Sequence, residues 1–291
     1  MGVVLAMGIF DGVHLGHQKL LRSAVDLAEK LDAQPIVYTF SNHPQGIVSL
    51  APPQLMTNDE RREAIEALGL GVHFDVFTST LGAMQPEAFL EYLSEKFDIA
   101  GFVCGYNYHY GKSRQGDARM LQRYCEQRAI SMRIIQPVLE GGEPISSTRI
   151  RVLIESGRLE DVPTLMGQSW FYTGVVREGR HVGRSIGYRT VNLVPDGKLL
   201  PPYGVYAGRT ITRNGSCDSI INIGVRPTVE QQGLPLIEAH MLNTCEECYG
   251  QSVKIEIFRF IRPEMQFDSL SALSLQIGKD IALVADICKK I

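Results

Sequence analysis

Val3-Val4-Leu5-Ala6-Met7-Gly8-Ile9-Phe10 runs straight into Asp11-Gly12-Val13-His14-Leu15-Gly16-His17, and the reading of this junction decides the fold. Residues 3–10 are an apolar run bounded by glycine, the pattern of a buried parallel strand. Beyond Gln18 the period changes: Leu20, Leu21, Ala24, Leu27, Ala28 and Leu31 recur at helical spacing, which predicts a helix from about His17 to residue 32. Both histidines therefore stand at a strand-to-helix turn, beside backbone N–H groups that lack an intrahelical partner. Such a turn favours anions, phosphate above all. Gly12 and Gly16 let backbone approach a ligand closely. The reading is a grip on a nucleotide triphosphate, with the imidazoles donating to phosphate oxygens as charge develops. Exposed loop histidines are the bland alternative, and a pair framed by glycines between strand and helix weighs against it. Zinc would need further ligands, and no Cys or Asp/Glu cluster lies at finger or protease spacing.

Outward from this junction the chain alternates. Strands are predicted at 35–40, 73–77, 99–104 and 131–136, and helices at 58–68, 86–96 and 117–129. Repeated βα units give a doubly wound parallel α/β sheet, whose ligands bind at the carboxyl ends of the strands. Polar residues follow those ends. His43-Pro44 comes after the second strand, Gly105-Tyr106-Asn107-Tyr108-His109-Tyr110-Gly111-Lys112 after the fourth, and Ile145-Ser146-Ser147-Thr148-Arg149-Ile150-Arg151 after the fifth. The hydroxyls of the last segment are candidates to cap a helix from Ile150 to Ser156. The arginines that follow suit phosphate.

After about residue 167 the pattern turns to short extended segments at 170–177, 204–211, 217–223, 236–242 and 252–260, separated by Gly, Pro and Asn. This predicts a small antiparallel β-barrel, covered by a C-terminal helix over 268–288. Residues 1–157 are read as one domain, 158–166 as a linker and 167–291 as a second domain.

With 291 residues, 44% of them hydrophobic, the chain can bury one large core or two ordinary ones. A net charge of −3 argues against a general nucleic-acid binder. No apolar run of about 18 residues is present, so no transmembrane helix is expected. The N-terminus lacks a signal-like pattern, and six cysteines over this length make no disulfide scaffold, which together predict a cytoplasmic protein. Cys245-Glu246-Glu247-Cys248 reads as a turn rather than a metal or redox site. The oligomeric state stays open.

The strand with GIFDGVHLGHQKLL, and ISSTRIR at the other end of the first half, resemble the two nucleotidyltransferase signatures of the prokaryotic bifunctional riboflavin kinase/FMN adenylyltransferase (FAD synthetase) family. The resemblance covers nearly the whole chain. It implies a Rossmann-like nucleotidyltransferase domain followed by a riboflavin kinase-like barrel. In the first, Gly8, Phe10, Gly12, His14, Gly16, His17, Ser147, Thr148 and Arg151 would bind ATP, with His14, His17 and Arg151 acting on the transferring phosphate. Asn107 and His43 would face the flavin; many relatives carry Asp where this chain has Asn107.

In the second half, residues 179–193 resemble the kinase signature. The resemblance implies that Gly179, Gly183 and Gly187 cover the phosphates of ATP and that Thr190 and Asn192 hold Mg²⁺. These last two, two apart on an extended strand, face one way. Glu238 would take the proton of the ribityl 5′-hydroxyl and Arg262 would stand near the flavin. The partners implied are ATP with Mg²⁺, riboflavin, FMN and FAD, with no nucleic acid and no membrane. One departure stands out: the family's proline is Arg189 here, which loses a fixed φ and gains a charge. It leaves open a second reading, an FMN adenylyltransferase whose barrel only binds flavin as a regulatory module.

Overall fold

The apolar run forms β1 (Val3–Met7), buried along its whole length. It is the central strand of a five-stranded parallel sheet with β2 (Gln34–Phe40), β3 (Gly71–Asp75), β4 (Ile99–Gly105) and β5 (Ser131–Ile135), in the order β3-β2-β1-β4-β5. This is a computed structural model that describes residues 1–47, 50–176, 189–225, 234–242 and 250–291. Its contacts divide the chain into Met1–Ser147 and Thr148–Ile291.

Helices α1 (Leu15–Leu31), α2 (Asn58–Glu66), α3 (Pro86–Lys96) and α4 (Ala118–Gln127) connect the strands of the first unit. Leu20, Leu21, Ala24, Leu27 and Ala28 form the buried stripe of α1. A second layer of core gathers Leu5, Met7, Tyr38, Leu93, Phe102 and Leu121. Each such side chain contributes about 1.5–3 kcal/mol on burial. Thr57 and Glu60 form a capping box that starts α2.

Two boundaries at the histidine turn differ from the sequence expectation, and the helix expected from Ile150 starts at Ser147. β1 stops at Met7 rather than Phe10, because Phe10 and Val13 take φ of 54° and 37° and so leave the extended region. α1 starts at Leu15 rather than His17, because His14 itself is the N-cap. The sheet reverses direction of winding between β1 and β4, the switch point of an open α/β sheet.

α5 (Ser147–Glu155) spans the division between the units. The second unit is a curled antiparallel six-stranded half-barrel with a C-terminal helix. Its strands are β6 (Trp170–Val175), β7 (Arg189–Leu193), β8 (Gly204–Thr212), β9 (Gly215–Val225), β10 (Pro235–Met241) and β11 (Ser252–Arg262), in the order β6-β11-β8-β9-β10-β7. Val191, Leu193, Ile221, Ile223, Ile237 and Ala239 are buried on one face. On the other, α6 (Leu270–Cys288) packs Val284, Ile287 and Cys288 against Val205, Ala207, Ile220 and Phe258. Cys217 is disulfide-bonded, which the sequence reading did not anticipate, whereas Cys104, Cys125 and Cys288 are buried free thiols.

Candidate active sites

At the exit of β1 the two histidine rings stack with centroids 3.6 Å apart and planes 16° from parallel. Phe10 meets the His17 ring edge-on at 5.3 Å. His14 Nδ1 accepts the backbone N–H of His17 at 3.2 Å, capping α1. A nitrogen that accepts carries no proton, so the neutral ring of His14 has its proton on Nε2, ready to donate. Gly16 suits this stack, because a Cβ there would press on the His14 ring at 3.1 Å. Gly12, at φ +83°, makes the turn possible, and its added Cβ would meet Leu55 Cδ1 at 2.8 Å.

Burial, partly offset by the backbone hydrogen bond, lowers the His14 pKa to about 4. Burial, with the neighbouring His14 and the Arg61 charge, holds His17 well below its ordinary value. Both rings are therefore neutral donors at neutral pH. His17 Nδ1 is enclosed and has no hydrogen-bond partner.

The turn is fastened from several directions. Asp11 is buried, and its carboxylate accepts the amides of Leu55 at 3.0 Å and Met56 at 3.2 Å. Its carbonyl accepts the Ser147 hydroxyl at 2.9 Å. Ser147 is thus already inside α5, and its Oγ ties the helix start to the histidine turn instead of capping the helix. Thr148 and Arg151 follow within the first turns of the same helix. Arg61, from α2, lies buried behind the turn and bonds the carbonyls of Ile9 and Phe40, each at 2.6 Å.

His14 and His17 follow β1 and Asn107 follows β4, the two strands that flank the switch point. Asn107 is exposed, next to exposed Tyr106. His43 follows β2, and its Nδ1 accepts the amide of Gln45 at 3.2 Å. Gly8 leaves room for the Phe10 ring, 2.9 Å from where its Cβ would be.

In the second unit, register brings the expected residues into one transverse row. Asn192 on β7 and Asn222 on β9 both lie opposite Glu238 on β10. Directly opposed residues of antiparallel strands project to the same side. The row continues through Val205 on β8 to Arg262 on β11. One step along, Thr190 lies opposite His240, and its Oγ1 is 2.9 Å from His240 Nδ1. Burial lowers the His240 pKa, and Glu238 partly opposes this. His240 in turn lies opposite Ile220, so the row shares the face that α6 covers. Thr190, Asn192 and Glu238 are brought together; Gly179, Gly183 and Gly187 lie outside the described residues.

Arg262 is engaged differently. Its Nη2 donates to Asp280 of α6 at 2.8 Å and its Nε at 3.1 Å, while Nη1 donates to the Pro263 carbonyl. In this arrangement the guanidinium clamps the C-terminal helix to the sheet. Glu264, just beyond, accepts from Asn222 Nδ2 at 3.2 Å.

Sequence reading missed Asp11, Arg61, Asn222 and His240. Arg61 carried no signal, since Asn58-Asp59-Glu60-Arg61-Arg62-Glu63 looks like a solvated helix face. The alternation Ile237, Ala239 inward and Glu238, His240 outward could have paired His240 with Glu238.

The family model described as FAD synthetase matches residues 1–149 and that described as riboflavin kinase matches residues 166–288. A Listeria monocytogenes protein named bifunctional riboflavin kinase/FMN adenylyltransferase is 32% identical over 282 residues, covering 95% of this chain and 90% of the relative. A Bacillus subtilis protein of the same name is 32% identical over 284 residues, with the same coverage of 95% and 90%. A crystal structure from Streptococcus pneumoniae, described as a macrolide-efflux protein, matches with a TM-score of 0.87 at 27% identity, covering 98% of this chain and 94% of that one. Efflux belongs to the description of that protein; among the described residues of this chain no helix is long and apolar enough to cross a membrane. With one matched half at each end and relatives aligned over nearly the full length, the chain belongs to the bifunctional riboflavin kinase/FMN adenylyltransferase family.

Proposed function

We propose that this chain makes FMN and then FAD, each step consuming ATP. The observation that carries the proposal is the presence of both matched halves in one chain. We assign residues 1–157 to adenylylation, 158–166 to the linker and 167–291 to the kinase, and place the enzyme in the cytoplasm. ATP, riboflavin, FMN and FAD are its partners; neither nucleic acid nor membrane is needed.

In the kinase half, Glu238 accepts the proton of the riboflavin 5′-hydroxyl as that oxygen attacks the γ-phosphorus of ATP, and ADP leaves. Thr190 and Asn192 supply neutral oxygens on the same face, which suit a hard cation that takes its other ligands from phosphate and water. Two neutral oxygens leave most of the coordination shell to phosphate and water, so the fit is to a cation carried in with ATP. Mg²⁺, when bound, neutralises phosphate charge. Gly179, Gly183 and Gly187 are proposed to cover those phosphates, and Arg262 to hold the sheet edge and α6 beside the flavin.

In the adenylylation half, a phosphate oxygen of FMN attacks the α-phosphorus of ATP and pyrophosphate leaves. No protein nucleophile is needed, and the rate comes from positioning and charge. His14 Nε2–H and His17 donate to phosphate oxygens, the start of α5 with Ser147, Thr148 and Arg151 supplies further donors, and Gly8, Phe10, Gly12 and Gly16 shape the cradle. Asn107 and His43, at the ends of β4 and β2, receive the flavin nucleotide.

Incubation of the full chain with riboflavin and Mg·ATP tests this. FMN followed by FAD is the expected result. FAD from supplied FMN but no FMN from riboflavin would leave only the adenylyltransferase with a flavin-binding barrel. Flavin binding with no ATP turnover would overturn both activities.

A further inference from the structure

Arg61 of the first unit, one of the residues that fasten the histidine turn, is 5% exposed and is given no part in binding ATP by the proposed function. Its fork is spent on backbone and amide oxygens: Nη1 on the Ile9 carbonyl at 2.6 Å, Nη2 on the Phe40 carbonyl at 2.6 Å and on Asn58 Oδ1 at 2.7 Å. Ile9 and Phe40 stand at the exits of β1 and β2, so a single side chain links the carboxyl ends of two neighbouring strands. Thr39 Oγ1 donates to the same Ile9 carbonyl at 3.1 Å.

No carboxylate forms an ion pair with Arg61 among the described residues. Asp11 acts on it through space, but the Asp11 carboxylate is bonded to the amides of Leu55 and Met56. Arg61 Nε is buried with no hydrogen-bond partner, as is His17 Nδ1. Buried cations are ordinarily paired, because an unpaired one is costly. Only the through-space field of Asp11 offsets this guanidinium, and an anion held at the adjoining histidine turn would supply a further counter-charge. The position of Arg61 is felt at His17, whose protonation it disfavours.

We propose that Arg61 is a positioning residue for the triphosphate of adenylyl transfer: it sets the strand exits that carry the histidine turn, and its buried charge is balanced by the phosphates. The inference rests on the adenylylation reading above. Its two parts are separable. Arg61→Gln removes the charge, whereas Arg61→Lys keeps the charge and loses the fork.

The test uses FAD formation by the full chain from supplied FMN, inhibited by tripolyphosphate or by adenosine, with FMN formation from riboflavin as the control for folding. For R61Q the inhibition constant of tripolyphosphate is expected to rise about tenfold or more, as for the loss of a charge-assisted contact. The constant for adenosine stays within about twofold, since adenosine brings no phosphate charge. For R61K, tripolyphosphate inhibition stays within about threefold while kcat falls about tenfold, because the carbonyl clamp is lost. Equal losses for the two inhibitors in R61Q would overturn the charge role, and an unchanged kcat in R61K would overturn the clamp. Should R61Q fail to fold, the same inhibitor comparison on R61K decides: a tripolyphosphate loss no larger than that for adenosine supports the charge role, a larger one overturns it. Native protein that forms no FAD would overturn the adenylylation reading itself, a result distinct from any change confined to the variants.

Discussion

Asn192 and Glu238 lie directly opposite each other on β7 and β10, and Glu238 has Asn222 of β9 on its other side. A carboxylate between two amides is held on one face of the sheet, beside the Thr190–His240 pair. Asn192 is buried to 5% exposure, so the row is a fixed part of the sheet.

From this geometry Glu238→Gln is expected to lower the kcat for FMN formation by about 10²–10⁴-fold, the usual worth of a general base. It is expected to leave FAD formation from supplied FMN unchanged. His17→Ala is expected to do the reverse, with a loss of about 10²–10³-fold in FAD formation, as for removal of one donor to developing charge. Separate assays of the two products check both. Loss of both activities in either folded variant would contradict two independent sites.

Arg262 and Asp280 form a bidentate pair in which the carboxylate side chain is only 4% exposed. Arg262→Ala is expected to destabilise the second unit by about 3–5 kcal/mol, because it strands a buried charge. Arg262→Ala with Asp280→Ala is expected to cost less than the single change. Urea unfolding of the full chain, followed by tryptophan emission from Trp170 in β6, reads this unit. A double variant as unstable as the sum of the two singles would show that the pair does not couple.

His14 and His17 are expected to remain neutral well below the ordinary range. The folded pKa of His14 is lowered to about 4 from an ordinary 6.5, so the unfolded chain takes up its proton first. The contribution of this ring to stability is complete above pH 6.5 and is lost as pH falls toward 4. Nitrogen-detected NMR of the two rings is expected to show a His14 midpoint near 4, rising when tripolyphosphate is added. A midpoint near 6.5 would mean that the stacked pair is open to water.

Asp75 closes β3 and accepts from Tyr92 at 2.6 Å, Tyr38 at 2.9 Å and Lys96 at 2.9 Å. Burial pushes its pKa up, but these three donors outweigh it and bring the value to about 2. A carboxylate with a lowered folded pKa adds stability above its unfolded value and loses it as pH falls from about 4 to about 2. Asp75→Asn is expected to melt lower than the native chain at pH 7 and to lose less between pH 4 and pH 2. Parallel melting curves check this, and parallel acid limbs would rule it out.

The layered parallel sheet was legible because its strands are apolar runs and its helices carry a period of 3.6, signals that live within a few residues. The histidine turn was legible for the same local reason. The strain in it was not: Gly12 announces a turn, yet Phe10 and Val13 also take positive φ, and only tertiary packing holds them there. Arg61 was invisible because its carbonyl partners lie 52 and 21 residues away, and a helical arginine looks solvated until the chain is folded. Arg262 was noticed, but its carboxylate partner eighteen residues on was not, since an aspartate within a mostly apolar helix gives no sign of what it faces. The Thr190–His240 contact likewise needs strand pairing across fifty residues.

The inner face of the half-barrel is filled by Val191, Leu193, Ile221, Ile223, Ile237 and Ala239, and Asn192, Asn222 and Glu238 stand on the opposite face. On the proposed kinase reading, holding the sheet together and handling substrate fall to alternate residues of the same strands. Yet the second face is not free of packing: Ile220 of β9 lies in the core under α6, and Asn192 is itself buried. On that reading, a change on that face touches both the substrate and the seat of the C-terminal helix, so specificity and stability in this half move together.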